Sequence, residues 1–395
     1  MGALMKSVLL AFLAIVLALG LILFPEEAFR ASLKGLDTWW RVVFPSLLPF
    51  FIISELLIGF GVVHFLGILL EPLMRPLFRV PGIGGFVWAM GMASGNPAGP
   101  KLAARMREER AISRMEAERL AAFTSSANPL FIFGAVAVGF FHNPRLGVLL
   151  AAAHYGANIA VGLIMRYYGT WEKGEKKGRP LTAKNPFRFL HEKRIEDGRP
   201  LGRLLGDAVV QSVQTLLMIG GFIIFFSVIN RLLTVTHISG WAAKIAGTVF
   251  PLLSLDEDLS EPFISGLFEM TIGIQGISEK AAPLLDQAVV ASFLLAFGGF
   301  SIQAQVSSIL ARSDIRFLPF FCARLLQGIL ASWLTVLLWR PVYEEASAIP
   351  AVARPFAEEQ ARWGHFLSEI GPPVTIIALS VYTFVFLKRS VRTND

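Results

Sequence analysis

The chain has 395 residues, of which 54% are hydrophobic and 16% charged, with 33 Phe and 8 Trp, against roughly 25% charged in an ordinary soluble domain. The apolar residues exceed what one aqueous core hides and fall in blocks of about 20, the length that spans a bilayer, which excludes a soluble globule and indicates a polytopic α-helical membrane protein. The net charge of +7 sits in short loops beside those blocks rather than on one amphipathic surface, which argues against a nucleic-acid partner, and the single cysteine, Cys322, excludes an internal disulfide or thiolate cluster.

Leu4 to Phe24 is apolar apart from Lys6 and Ser7. Ala18-Leu19-Gly20 loosely resembles a signal-peptide cleavage site, but Leu21-Ile22-Leu23-Phe24 continues the run, so an uncleaved first span is expected. Further apolar blocks run over about Val42 to Val63, Ile83 to Gly99, Ala117 to Phe141, Leu146 to Tyr167, Ala208 to Asn230, Pro262 to Ile277, Gln287 to Leu310, Phe317 to Trp339 and Pro372 to Leu387. Trp241 to Leu253 is too short to cross and is expected at an interface. Two blocks, Ile83 to Gly99 and Pro262 to Ile277, are short, Gly-rich and interrupted by polar residues, which reads as re-entrant rather than spanning.

Basic loops stay cytoplasmic. Arg166 to Arg203 carries 11 Lys plus Arg, Lys101 to Arg114 carries five, and the tail after Leu387 holds Lys388, Arg389 and Arg392, so these three belong inside. His142 to Arg145, the acidic Asp256 to Glu261, and Pro341 to Gly371 belong outside. On these anchors Val42 to Val63 runs out to in, Ile83 to Gly99 dips from inside and Ala117 to Phe141 runs in to out. Ala208 to Asn230, Pro262 to Ile277 and Gln287 to Leu310 then repeat the series in the opposite sense. Phe50-Phe51, Leu57 and Gly91 recur 175 residues later as Phe225-Phe226, Leu232 and Gly266, and Ala122-Phe123 recurs as Ala296-Phe297. Sequence echo and inverted charge bias together predict two inverted-topology repeats, an architecture of secondary transporters with the substrate site at the repeat interface.

Four segments put polar groups at membrane depth: Ser94 to Gly99, Thr124 to Pro129, Phe268 to Gln275 and Gly298 to Gln305. Pro and Gly pairs break helix hydrogen bonding there, and freed backbone groups are tolerated only where they line a cavity or are buried in protein. The candidate substrate-binding residues are Ser94, Asn96, Thr124, Ser125, Ser126, Asn128, Ser301, Gln303 and Gln305. The competing reading is a set of Pro kinks whose Ser and Thr bond their own helix carbonyls. Glu269, the one acid well inside an apolar block, is assigned with Thr271 and Gln275 to proton or ion coupling, with a structural staple as the alternative. Asp207, Gln211 and Gln214 share one helix face, as do His154 and Asn158; both stripes read as bundle-facing polar contacts. Arg105, Arg107, Arg312 and Arg316, just cytoplasmic of the broken segments, serve equally as anion attractors or topology anchors. The six His lack HExxH spacing and there is no phosphate-cradling GxxxxGK[ST] loop, so no enzyme activity is expected.

Phe123-Thr124-Ser125-Ser126-Ala127-Asn128-Pro129-Leu130-Phe131-Ile132-Phe133-Gly134, Gly95-Asn96-Pro97-Ala98-Gly99-Pro100-Lys101, Gly266-Leu267-Phe268-Glu269-Met270-Thr271 with Gly273, and Gly298-Gly299-Phe300-Ser301-Ile302-Gln303-Ala304-Gln305 together resemble the YlbJ (SpoVV) family of sporulation integral membrane proteins, over nearly the whole chain. Its halves resemble nucleoside-recognition (Gate) domains, similar in plan to concentrative nucleoside transporters. This implies an all-α fold with residues 1–41 as an N-terminal span and external segment, 42–167 as a first Gate-like repeat, 168–206 as a basic cytoplasmic loop, 207–340 as a second repeat, and 341–395 as an external acidic loop and last span. The resemblance implies transport of dipicolinic acid, a pyridine dicarboxylate, from mother cell to forespore across the outer forespore membrane, with no cofactor beyond a coupling proton or sodium ion. A nucleoside or nucleobase carrier and a non-transporting organiser of spore-envelope assembly are the alternatives. Expected partners are the small dicarboxylate and membrane lipid, with a homo-oligomer left open. The family pattern carries an aromatic residue where this chain has Asn96, which leaves the part Asn96 plays in substrate selection open.

Overall fold

A computed structural model describes residues 2–169, 194–195 and 197–345. The described residues are helical with no strand, as a chain in lipid requires, because there a helix satisfies its own backbone groups. Helices α1 (Gly2–Leu23) and α2 (Pro25–Thr38) come first, and the segments Ser7–Leu23 and Pro25–Arg41 meet at 101°. Pro25, which has no N–H to continue a helix, sits at that corner. A π-helical turn, Trp39–Val43, leads into α3 (Phe44–Gly59), followed by α4 (Val62–Phe78), α5 (Ile83–Ser94), α6 (Ala98–Glu108) and α7 (Arg114–Thr124). A π-helix, Leu130–Phe140, and α8 (Pro144–Met165) complete the first half. The second half holds α9 (Leu201–Val235), α10 (Ile238–Val249), α11 (Ser260–Phe268), α12 (Met270–Ser278), α13 (Leu284–Phe297), α14 (Gly299–Leu310) and α15 (Phe317–Leu338).

Candidate membrane spans among the described residues are Pro144–Met165, Leu201–Val235, Leu284–Leu310 and the helix that begins at Phe317. The body comprises residues 1–339; a second unit, 340–395, is described only through Glu345. The last span expected at Pro372 to Leu387, and most of the basic loop (170–193), lie outside the described residues.

The apolar runs locate most helices, with one shift and three omissions: α2, α4 and most of α6, which fills much of the stretch Lys101 to Arg114 expected as a basic loop. The helix expected over Val42 to Val63 stops at Gly59, and the chain reverses at Gly61, whose φ of +76° suits glycine. Helices α2 and α4 escape a search for apolar runs because they are amphipathic and interrupted by charge. In α4, Glu71 pairs with Arg75 and accepts from Gly82 N, and the helix tolerates Pro72 and Pro76. Helix α10 matches the expected short element: its 12 residues fall below the ~20 needed to cross a bilayer, and it leaves Trp241 and Ile245 exposed.

The functional architecture is a helical hairpin followed by a broken helix, and it occurs twice. In the first half α5 and α6 form the hairpin, and α7, the unwound residues 125–129 and the π-helix form the broken element. In the second, α11 and α12 meet at Glu269, and α13 and α14 are separated at Gly298. Each hairpin packs glycine on glycine: a Cβ on Gly91 would lie 3.2 Å from Gly99 Cα, and one on Gly273 only 2.1 Å from Gly266 Cα. The recurring pair Gly91 and Gly266 therefore occupies equivalent contacts, and Ala122-Phe123 and Ala296-Phe297 both immediately precede the helix breaks. Around the first hairpin lies the largest core, drawing on α4 to α8 with Val306, Leu310, Phe320 and Ala323 from α14 and α15. The second half thus contributes to the same core that positions the first.

Candidate functional site

All four breaks meet around a cavity of about 390 Å³. Ser94, Gly95 and Asn96 come from the first hairpin tip, Ala127 to Ala135 from the first broken helix, Glu269 to Thr271 from the second hairpin, and Ser301, Ile302 and Gln305 from the second broken helix. Val43 of the π-helical turn and Leu47 of α3, with Ile219 and Ile223 of α9, add to Leu130, Phe131, Met270 and Ile302 and make most of the wall apolar. At three of the four breaks the lining residues lie at or beyond the break, with none from the helix before it: α7, α11 and α13 contribute no lining residue. At those three breaks the cavity faces helix starts, where the macrodipole favours negative charge, while Phe131 N and Thr271 N there already bond Asn128 Oδ1 and the Glu269 carboxylate.

The candidate residues divide into those on the wall and those behind it. Ser94, Asn96, Asn128, Ser301, Gln305, Glu269 and Thr271 line the cavity. Thr124, Ser125 and Ser126 are buried behind the wall: Ser125 Oγ donates to Asn96 Oδ1, and Ser126 Oγ donates to Gly91 O at 3.4 Å. Gln303 is also behind it, donating through Nε2 to Phe297 O at 2.8 Å across the second break. Gln275 is turned away, donating to Glu279 Oε1 at 3.1 Å. About one turn beyond Thr271 on the same face of α12, it leaves the wall through its distance along the helix from the break.

Glu269 terminates α11 and precedes α12, and its carboxylate accepts from Thr271 N at 3.2 and 3.4 Å. It is thus a helix N-cap facing the cavity, held by a favourable dipole end. Asn128 is committed on both sides: its Nδ2 donates to Ser94 O at 3.1 Å and its Oδ1 accepts from Phe131 N at 2.7 Å. The amide latches the unwound strand to the hairpin tip while sharing the cavity wall.

The first break is held by residues from outside it. His154 Nε2 accepts from Ala127 N at 3.0 Å, Tyr155 Oη donates to Ala127 O at 3.0 Å, and Asn158 Nδ2 donates to Ser125 O at 3.4 Å. The His154 and Asn158 stripe, legible as bundle-facing, proves to serve the unwound strand. Arg324 of α15, 1% exposed, donates to Ser125 O and Ala122 O. Sequence reasoning missed it, although an arginine seven residues inside an apolar block is itself the signal, since such charges rarely lie buried without a task. Backbone groups freed by unwinding must find partners in the absence of water, and α8 and α15 supply them.

The basic residues flanking the breaks are mostly paired. Arg105 and Lys101 bridge to Glu55, Arg107 to Asp314 at 2.7 Å, and Arg316 to Glu118 at 2.9 Å. Asp207 pairs with Arg199 at 2.9 Å, while Gln211 and Gln214 join Glu55, Lys101, Arg105 and Arg312 around a second, more polar cavity. Arg107 beside it holds the Asp314 carboxyl below its ordinary range. Among the described residues no cluster of His, Cys, Asp or Glu could hold a metal.

Asn128→Ala removes both the latch to Ser94 O and the bond to Phe131 N. Leaving a buried polar group unpaired costs about 1–3 kcal/mol, so this variant is expected to lower thermal stability by that order and to weaken ligand binding. Ser301→Ala, which loses only a 3.4 Å bond from Gln305 Nε2, should change the melting temperature less. Equal stability losses in a thermal melt of the two purified variants would count against the latch.

The chain is 53% identical over 395 residues to the sporulation integral membrane protein YlbJ of Bacillus subtilis (strain 168), with 97% of each chain covered. It belongs to the YlbJ family. The family model described as "Gate: Nucleoside recognition" matches residues 40–143, from the turn before α3 to just past the π-helix, and so takes in the first hairpin and the first broken helix. Among solved structures, CNTnw in an inward-facing substrate-bound state is similar at 13% identity with a TM-score of 0.42, covering 85% of this chain and 87% of that one. An outward-facing variant of CNTnw is similar at 14% identity with a TM-score of 0.41, over the same 85% and 87%. This YlbJ relative is thus an integral membrane protein of all-α architecture with two hairpins and two broken helices.

Proposed function

We propose that this YlbJ relative is a secondary transporter of a small organic dianion, dipicolinate, carrying it from mother cell to forespore across the outer forespore membrane. The observation that carries the reading is the cavity where four helix breaks meet, whose largely apolar wall carries the neutral polar groups Ser94, Asn96, Asn128, Ser301 and Gln305 and the starts of three helices, with Glu269 at one of them. Its volume of about 390 Å³ falls within the ~300–1,000 Å³ of small-molecule sites. Carboxylates at helix N-termini are stabilised without a cationic side chain in the wall. Cycling between the two faces would follow from relative movement of inverted repeats around the site. Glu269, capping α12, is assigned with Thr271 to proton or cation coupling, since an ionised carboxylate in the wall would repel a dianion.

A nucleoside substrate is the second reading. The Gate match favours it, as does Glu269, whose carboxylate could accept sugar hydroxyls; Phe131 is the one aromatic residue among those lining the cavity for base stacking. Proteoliposomes holding the full chain separate the two. Labelled dipicolinate is expected to accumulate, with unlabelled dipicolinate competing and uridine inert. Uptake of uridine without dipicolinate would replace the first reading with the second.

A further inference from the structure

Arg324 is 1% exposed and, among the described residues, has no carboxylate within ion-pair distance. Its guanidinium faces the carbonyls of Ala122 and Ser125, lies 5.8 Å from the Phe320 ring centroid, and leaves Nε without a partner. A buried cation is ordinarily matched by an anion, because desolvation without a counter-charge is costly. The two carbonyls, at the C-terminal end of α7, and the Phe320 ring offset part of that charge, but no carboxylate neutralises it.

The guanidinium is two hydrogen bonds from the cavity. It holds Ser125 at its carbonyl, and the Ser125 hydroxyl donates to Asn96 Oδ1. Asn96 is half-buried on the cavity wall, and its Nδ2 has no partner among the described residues. With one oxygen lone pair engaged from behind, the amide keeps both of its N–H donors free for whatever fills the cavity. The second half has no equivalent arrangement: Gln303 and Thr271 there bond the chain locally, and Glu269 brings negative charge instead.

We propose that Arg324 is a positioning residue for anion selection, holding Ser125 so that the Asn96 amide presents N–H donors to the cavity, and leaving behind that wall a positive charge neutralised by no carboxylate, which an anionic ligand balances. This rests on the reading of the cavity as a small-anion site, and explains how an anion is preferred without a cationic side chain in the wall. The polarity of the chain matters: Arg324 can only donate, Ser125 accepts at its carbonyl and donates from its hydroxyl, and Asn96 is thereby oriented.

The test measures affinity of the purified full chain, by ligand-induced thermal stabilisation, for dipicolinate, for glutarate and for the neutral dicarboxamide isostere of dipicolinate. Wild type is expected to bind dipicolinate at least about tenfold tighter than the dicarboxamide. Arg324→Gln should erase that ratio by weakening dipicolinate while leaving the dicarboxamide nearly unchanged, and Arg324→Lys should retain most of it. Asn96→Ala should reduce the ratio, and adding it to Arg324→Gln should reduce it no further, because the two act through one chain of bonds. A ratio that survives in Arg324→Gln, or survives in Asn96→Ala should Arg324→Gln not fold, overturns the inference and leaves dipicolinate as the substrate. If wild type prefers glutarate and Arg324→Gln or Asn96→Ala loses that preference, the inference stands and dipicolinate falls. A wild type that prefers no dicarboxylate over the neutral isostere overturns both.

Discussion

Glu269→Gln is expected to yield a folded, membrane-inserted protein whose uptake falls by about two orders of magnitude or more, the largest functional effect of any single substitution in the cavity. The physical basis is the double position of this residue. Its carboxylate caps α12 through Thr271 N and faces the cavity where the four breaks meet. An amide oxygen still accepts from Thr271 N, so the capping loss should stay within the ~0.5–2 kcal/mol of full cap removal, and the melting temperature should move little. What the amide cannot do is change charge during the cycle, or balance a bound cation. Uptake measured in proteoliposomes across pH and sodium steps decides between the roles. Normal uptake with unchanged pH and sodium dependence in Glu269→Gln would make the residue a cap alone. Glu269→Ala is the complement: it removes the cap as well and should lower stability measurably more than the amide does.

Gly99→Ala should cost more stability than any substitution on the cavity wall. A Cβ at residue 99 would lie 2.1 Å from Thr124 O and 2.5 Å from Thr124 C, both backbone atoms that cannot swing aside. The first hairpin would have to lift from the end of α7, and with it Asn96 and the latch between Ser94 and Asn128. Overpacking costs typically 1–3 kcal/mol, occasionally more, and a backbone clash this short places Gly99→Ala at or above about 3 kcal/mol. Gly221→Ala is the control: nothing lies within 4 Å of its added carbon, and on helix propensity it should be neutral or stabilising by up to about 1 kcal/mol. Thermal melts of the two variants in one detergent check the pair, and similar melting temperatures would refute the close-packing argument. Uptake by Gly99→Ala should fall with its stability, whereas Gly221→Ala should transport normally.

Residue pattern alone was enough to recover much of this architecture. Apolar runs of bilayer length, Gly-rich interruptions and matched echoes such as Gly91 with Gly266 are local signals, and a lipid solvent makes them strong because each backbone segment must satisfy itself. The breaks were legible for a related reason: Asn96-Pro97, Asn128-Pro129 and Gly298-Gly299 weaken a helix and stand in segments that put polar residues into apolar blocks, whereas Pro72 and Pro76 in α4 and Gly220-Gly221 in α9, the last pair flanked by apolar residues, are carried within helices. Helices α2 and α4 were not legible from apolar runs, since amphipathic elements carrying Glu71 and Arg75 gain their stability from neighbours.

The division of labour among polar residues was decided by tertiary structure. Nothing in the spacing of Ser125, Ser126, Gln303 and Gln275 says that they lie behind or away from a wall formed by Ser94, Asn96, Asn128, Ser301 and Gln305, because that depends on how each helix is rotated after its break and how far along it the cavity reaches. Nor could local sequence reveal Arg324 beneath a strand 199 positions earlier. Polar residue type and chain interruption are properties of neighbours in sequence. Which freed carbonyl a distant guanidinium reaches, and which amide face is left for a ligand, are set by packing between halves of the chain, where close contact and hydrogen-bond directionality admit one arrangement and exclude the rest.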